Sequence, residues 1–193
     1  MTTIKRTYWI ALSCLSIASG ILNMVQARRI SQFGTQLDEA NSRNLGRLAV
    51  GSAIPPLSLR DSAGAVVTVE FEGVRGGTLL YVFSPSCGWC ISNAKAETQL
   101  AKTLKGKYRV VGVSLSSEGL LDFVKRYQPE FDLYGAASTE TAERLGLGTT
   151  PQLIVVGTDR RVKKVWTGAF SGRTKEGIEE YFATKLPTAV AGD

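Results

Sequence analysis

Hydrophobic and polar positions divide this chain into blocks of different period. Tyr8 to Val25 carries no charge and lies between Lys5-Arg6 and Arg28-Arg29. At about 18 residues the run just spans a bilayer's hydrocarbon core as a helix, with Tyr8 and Trp9 where interfacial aromatics belong. Residues 28–49 are polar, and Ile30, Phe33, Leu37 and Ala40 keep partial helical spacing. That predicts a tether, helical in part. From Ile54 the blocks shorten to strand length. Ile54 to Leu59 and Val66 to Val69 predict extended segments around a turn at Asp61 to Gly64. Thr78 to Phe83 is a continuous apolar run and reads as a buried strand. Ile91, Ala94, Ala101 and Leu104 then recur at helical spacing. Tyr108 to Leu115 predicts a second buried strand. A helix capped by Ser116 or Ser117 runs to about Tyr127, with Phe131 to Tyr134 a short strand after it. Ser138 caps a helix stopped by Gly146 and Gly148. Leu153 to Val156 turns at Gly157 to Asp159 into Val162 to Thr167, and Thr174 opens a last helix with Ile178, Tyr181 and Phe182 inward.

Strands alternating with helices and closing on a hairpin predict an α/β fold, a mixed sheet flanked by helices and covered on both faces. The division is a basic N-terminus (1–6), a transmembrane signal anchor (7–27), a tether (28–49), a folded domain (50–187) and a flexible tail (188–193). A cleaved signal peptide ending at Val25-Gln26-Ala27 and a buried helix of a soluble domain are the competing readings of the anchor.

Charge sharpens this division. The 193 residues carry a formal net charge of +6. Most of the excess sits in the first fifty residues, where Lys5, Arg6, Arg28, Arg29, Arg43 and Arg47 face only Asp38 and Glu39. The nearly neutral remainder lacks the clustered cations of a nucleic-acid binder. The N-terminal excess suits a membrane surface. Flanking charges of the anchor are almost balanced, so orientation follows from the chemistry below: N-terminus in the cytoplasm, domain outside.

That chemistry is Cys87-Gly88-Trp89-Cys90. The predicted strand delivers Cys87 to a helix start, and Cys90 follows on the same helix face. Unpaired N–H groups and the positive dipole end stabilise a thiolate there. Cys90 can attack a mixed disulfide formed at Cys87, the minimum equipment for dithiol–disulfide exchange. Zinc would need about four ligands. With no His and only Cys14 besides, a structural zinc site is disfavoured, and no metal or cofactor is expected. A purely structural disulfide across so small a loop would add little. Cys14 reads as an apolar membrane-embedded residue.

The order of elements resembles the thioredoxin superfamily, and within it the membrane-anchored, TlpA-like, redoxin-type thiol–disulfide oxidoreductases. The resemblance rests on Gly51, Pro55-Pro56-Leu57-Ser58-Leu59, Asp61, Gly64, Leu80 to Cys90, Gly148-Thr149-Thr150-Pro151-Gln152 and Val165 to Phe170. It implies that Pro151 is cis beside the cysteines, leaving the Thr150 backbone free to pair with an extended substrate. It further implies that Gly168 leaves room for that substrate and that Trp89 is exposed to contact a partner. Two departures stand out. Asn93 holds the place where many members carry an acid, and Leu79-Leu80-Tyr81-Val82 lacks thioredoxin's buried acid. Glu97 reads as solvated, so nothing evident takes the proton of Cys90.

The resemblance implies a bacterial inner-membrane, single-pass protein with its domain on the periplasmic or extracytoplasmic side. Cys87 and Cys90 would reduce protein disulfides, in cytochrome c maturation or envelope thiol maintenance. An upstream thiol protein would donate the electrons. The alternatives are a redox-inactive membrane-tethered adaptor and, more remotely, a peroxiredoxin. For the latter Ser84 is acceptably placed, but Leu80 stands where a proline belongs.

Overall fold

The computed structural model describes residues 19–20, 22–26, 28–29, 48–71, 73–135, 142 and 146–187. The chain divides into two compact units, Met1–Asn41 and Ser42–Asp193. In the first, the described residues between 19 and 29 are helical. Among the described residues no helix is long and apolar enough to cross a membrane. Most of the predicted anchor 7–27 and tether 28–49, Cys14, the start of the predicted Ser138 helix and the tail 188–193 lie outside the described residues.

In the second unit the elements are β1 (Leu57–Arg60), β2 (Val66–Val69), β3 (Thr78–Phe83), α1 (Gly88–Leu104), β4 (Arg109–Ser114), α2 (Leu120–Tyr127), β5 (Asp132–Tyr134), β6 (Gln152–Val156), β7 (Val162–Thr167) and α3 (Gly172–Phe182). Five strands form one sheet in the order β5-β4-β3-β6-β7, and β1 and β2 form a separate ribbon. β3 pairs in parallel with β4 and antiparallel with β6, so the sheet is mixed.

β3 is buried along its whole length, and its side chains alternate between two cores. Leu79, Tyr81 and Phe83 face a cluster with Ala94, Leu100, Phe123 and Ile178, from α1, α2 and α3. Leu80 and Val82 face Leu57, Leu59, Val69 and Leu147. Helices therefore cover one face, and the β1–β2 ribbon with Ala142 and Leu147 covers the other. Among the described residues every buried apolar side chain lies between Ile54 and Leu186, so the second unit contains its own core.

The turn into β3 needs glycine. Gly77 has φ +89, and a Cβ there would collide with the Val156 carbonyl. Two helix starts differ from expectation. α2 begins at Leu120 after Gly119, with φ 72 and no side-chain cap. Ser116 Oγ instead accepts the Glu118 N–H at 3.1 Å, closing a local turn before the helix. α3 begins at Gly172, two residues before Thr174. Tyr181 on α3, expected inward, is 42% exposed and touches Trp166 only edge-on.

Candidate active site

Phe83 hands the chain to Ser84-Pro85-Ser86, and the Cys87 N–H donates to the Ser84 carbonyl at 3.0 Å. This turn sets Cys87 as the N-cap of α1, with extended φ −82 and ψ 114. An oxygen usually caps that position. Here the Cys90 N–H donates to Cys87 Sγ at 3.3 Å. The sulfur thus occupies the anion-favouring end of a 17-residue helix.

Cys87 is half-buried and Cys90 fully buried, and both are free thiols. Burial pushes the Cys90 thiol up to about 12. The hydrogen bond with Cys87 and the charge on that residue add to the shift, while the Ser84 N–H and the Thr150 hydroxyl oppose it. One sulfur is reachable; the other keeps its proton until something removes it.

Two further segments converge on the pair. The Thr150–Pro151 peptide is cis. Pro151 is buried, and its carbonyl accepts the Gly168 N–H at 2.9 Å. Gly168 has φ +96, where side chains are rarely tolerated, and a Cβ there would meet nothing within 4 Å. Backbone conformation, not crowding, requires glycine, and the space beside it is open. Trp89 lies 58% exposed beside the cysteines.

Asn93 and Glu97 show what sequence reasoning missed. Asn93 is fully buried. Its Oδ1 accepts the Phe170 N–H at 2.8 Å and its Nδ2 donates to the Gly168 carbonyl at 3.3 Å. In place of an acid, the helix carries an amide that fixes the 168–170 loop beside the site. Glu97 corrects the expectation of a solvated carboxyl: it is 1% exposed, and neither oxygen has a hydrogen-bond partner. Burial holds its proton, raising its pKa from 4.5 to about 8. Tyr81 lies in the same buried cluster as Cys90. Its hydroxyl donates to the Cys90 carbonyl at 3.3 Å. Burial raises the phenol pKa first, then the charges of Glu97, Cys90 and Cys87. A sequence signal existed: Cys90, Ala94, Glu97, Ala101 and Leu104 repeat at intervals of four and three, one inward stripe with an acid in it.

A cleft of about 430 Å³ adjoins the site. Pro85, Ile91, Phe123 and Tyr127 give it an apolar floor, and Glu118 and Asp122 lie on its rim. Among the described residues no three His, Cys, Asp or Glu side chains cluster as metal ligands.

Residues 49–181 match the Redoxin family. No curated protein matches the sequence. Among solved structures the chain is similar to a Chlorobium tepidum protein provisionally described as the thiol:disulfide interchange protein DsbE. That match has a TM-score of 0.59 and 20% identity, covering 70% of this chain and 96% of that one. A secreted Mycobacterium tuberculosis disulfide oxidoreductase homologous to E. coli DsbE gives a TM-score of 0.55 at 15% identity, over 66% of this chain and 94% of that one. StoA from Bacillus subtilis gives 0.54 at 17%, over 67% and 98%. At these identities the likeness establishes a shared fold.

Proposed function

The chain belongs to the redoxin family, and from that premise we propose that it is a membrane-tethered thiol–disulfide oxidoreductase reducing protein disulfides on the extracytoplasmic side of a bacterial inner membrane. The observation that carries the redox reading is the contrast within one helical turn: a reachable Cys87 capping the helix and a buried Cys90 whose N–H donates to the Cys87 sulfur. The uncharged run Tyr8 to Val25 supports the tether.

Cys87 thiolate attacks one sulfur of a client disulfide. A Cys87–client bond forms, and the client's second sulfur leaves as a thiolate and takes a proton. Cys90 then gives up its proton and attacks Cys87 Sγ. The Cys87–Cys90 disulfide closes and the client's first sulfur departs, so two electrons have passed from protein to client. Glu97 is the group within the fold suited to exchange that proton. The carboxyl is buried without a partner, and it titrates near physiological pH. An upstream thiol protein restores the dithiol by the same exchange. The exposed Trp89, the Thr150 backbone and the open space at Gly168 receive the client. Haem-site cysteines of apocytochrome c and other envelope disulfides are the client classes this reading favours.

Acceleration of insulin disulfide reduction by dithiothreitol tests the activity. Turnover by the wild type, absent in Cys87→Ser, is the expected result. No acceleration by the wild type would leave the adaptor reading in its place.

A further inference from the structure

The nearly neutral domain hides an uneven charge distribution. β3 and β6 are antiparallel, with Thr78 opposite Val156 and Val82 opposite Gln152. The cysteines follow Phe83 and the cis-proline precedes Gln152, so both lie at one end of the sheet. The β6–β7 turn, Gly157 to Arg161, lies at the other. Six residues of β3 set the two ends about 20 Å apart.

That far end is basic. Arg160, Arg161 and Lys163 are exposed on the turn and the start of β7. A bulge between Val155 and Val156 shifts the β6–β7 register at Lys163. The Arg75-Gly76-Gly77 turn packs against Val156 and Gly157, and the Gly76 N–H donates to the Lys107 carbonyl at 3.0 Å. Exposed Arg75 and Lys107 therefore extend the patch. Among the described residues the opposing carboxylates are Asp159, paired with Lys163 at 2.7 Å, Asp132, paired with Arg109 at 3.6 Å, and Glu70, whose backbone carbonyl accepts from Arg109.

The chain enters the domain on this same turn. The Gly51 N–H donates to the Val162 carbonyl at 2.8 Å, the Ile54 N–H to Arg160 at 2.8 Å, and the Arg161 guanidinium to the Gly51 carbonyl at 2.8 Å. Upstream lie about 20 tether residues, which extended would reach roughly 70 Å, and then the uncharged run ending before Arg28-Arg29.

We propose that the basic end around Arg75, Lys107, Arg160, Arg161 and Lys163 docks on anionic lipid headgroups and turns the dithiol away from the bilayer. Each cation near an anionic surface strengthens binding about fivefold. A tether makes such weak contacts intramolecular, so they suffice to orient a domain already held at the membrane. Clients then approach Cys87 from the aqueous side. The proposal rests on the membrane reading above and not on the redox chemistry.

The second unit has its own core, so residues 42–193 serve for the test. Co-sedimentation with vesicles of phosphatidylcholine alone, or with about one-third phosphatidylglycerol, measures the partition. Binding at least ~10-fold stronger to the anionic vesicles at low salt, lost at high salt, is the expected result. Arg75→Gln/Lys107→Gln/Arg160→Gln lowers it at least ~10-fold. Lys125→Gln/Arg126→Gln, removing two cations of α2, leaves it within about 2-fold. Insulin reduction in solution is unchanged by the triple substitution, which separates failure here from failure of the redox reading. Equal binding to neutral vesicles, no binding at all, or a triple variant that binds like the wild type overturns the proposal.

Discussion

Two faces of α1 share one backbone and present opposite environments to the same chemistry. Outward, the helix starts with half-buried Cys87, exposed Gly88 and Trp89, and continues through exposed Lys95 and Gln99. Inward, Cys90, Asn93 and Glu97 are buried, polar or titratable, and packed against Tyr81 and the 168–170 loop. Burial disfavours charge at Cys90 and Glu97 and so favours their protonated forms. An attacking thiolate belongs on the first face. A proton held in reserve belongs on the second. The division of labour between the cysteines follows from where the helix meets the core, three residues apart.

The contrast can be broken outright at the sulfurs. Cys87→Ser should lower insulin reduction at least ~10³-fold, since no reachable thiol remains. Cys90→Ser should also abolish turnover while preserving the first attack. A mixed disulfide with the client then accumulates and is released by dithiothreitol, as seen on non-reducing gels. If Cys87→Ser traps the client and Cys90→Ser does not, the roles are reversed.

Glu97→Gln sharpens the inner face. Its carboxyl titrates at about 8 in the folded protein against 4.5 for the ordinary group. The folded state therefore prefers the protonated form. This contribution is full below about 4.5, declines as pH rises, and is exhausted above about 8. Between pH 6 and 9 the wild type should lose about 3 kcal/mol that Glu97→Gln does not lose. Urea unfolding at several pH values measures the difference. In single-turnover assays, resolution of the mixed disulfide by Cys90 should slow in Glu97→Gln while attack by Cys87 does not. Equal slowing of both steps would limit Glu97 to a structural role.

Asn93→Ala removes one buried and one part-buried hydrogen bond and leaves the Phe170 N–H without its acceptor. A loss of about 1–3 kcal/mol in stability is expected. A raised KM for client protein should accompany it as the Gly168 loop loosens. Asn93→Asp, which keeps the acceptor and loses the donor, should retain the Phe170 bond and part of the stability. The smallest effect belongs to the outer face. Trp89→Ala should change stability by under about 0.5 kcal/mol, yet weaken client binding measurably, since the ring is 58% exposed.

How legible these faces were in the sequence follows the same line. The outer face was readable: Cys87 and Cys90 after the apolar run 78–83, before a helical repeat, announce a strand–thiol–helix junction. β3 was legible because burial on both sides leaves a continuous apolar run. The partners of Pro151 and Gly168 were not, since Asn93 meets the 168–170 loop across 75 residues or more of chain. Glu97 misled because an acid is ordinarily solvated, and only its place in the 90, 94, 97, 101 stripe argued otherwise. The α2 start misled because Ser116 had a competing local turn to close. The basic end escaped notice because Arg75, Lys107 and Arg160 are far apart in sequence, and the domain's net charge averages them away.

Alkylation of the reduced protein with iodoacetamide at pH 7, followed site by site with peptide mass mapping, tests the contrast between the faces most directly. We expect Cys87 to react at least ~100-fold faster than Cys90, with Cys90 labelled only after unfolding. Equal rates, or a faster Cys90, would contradict it.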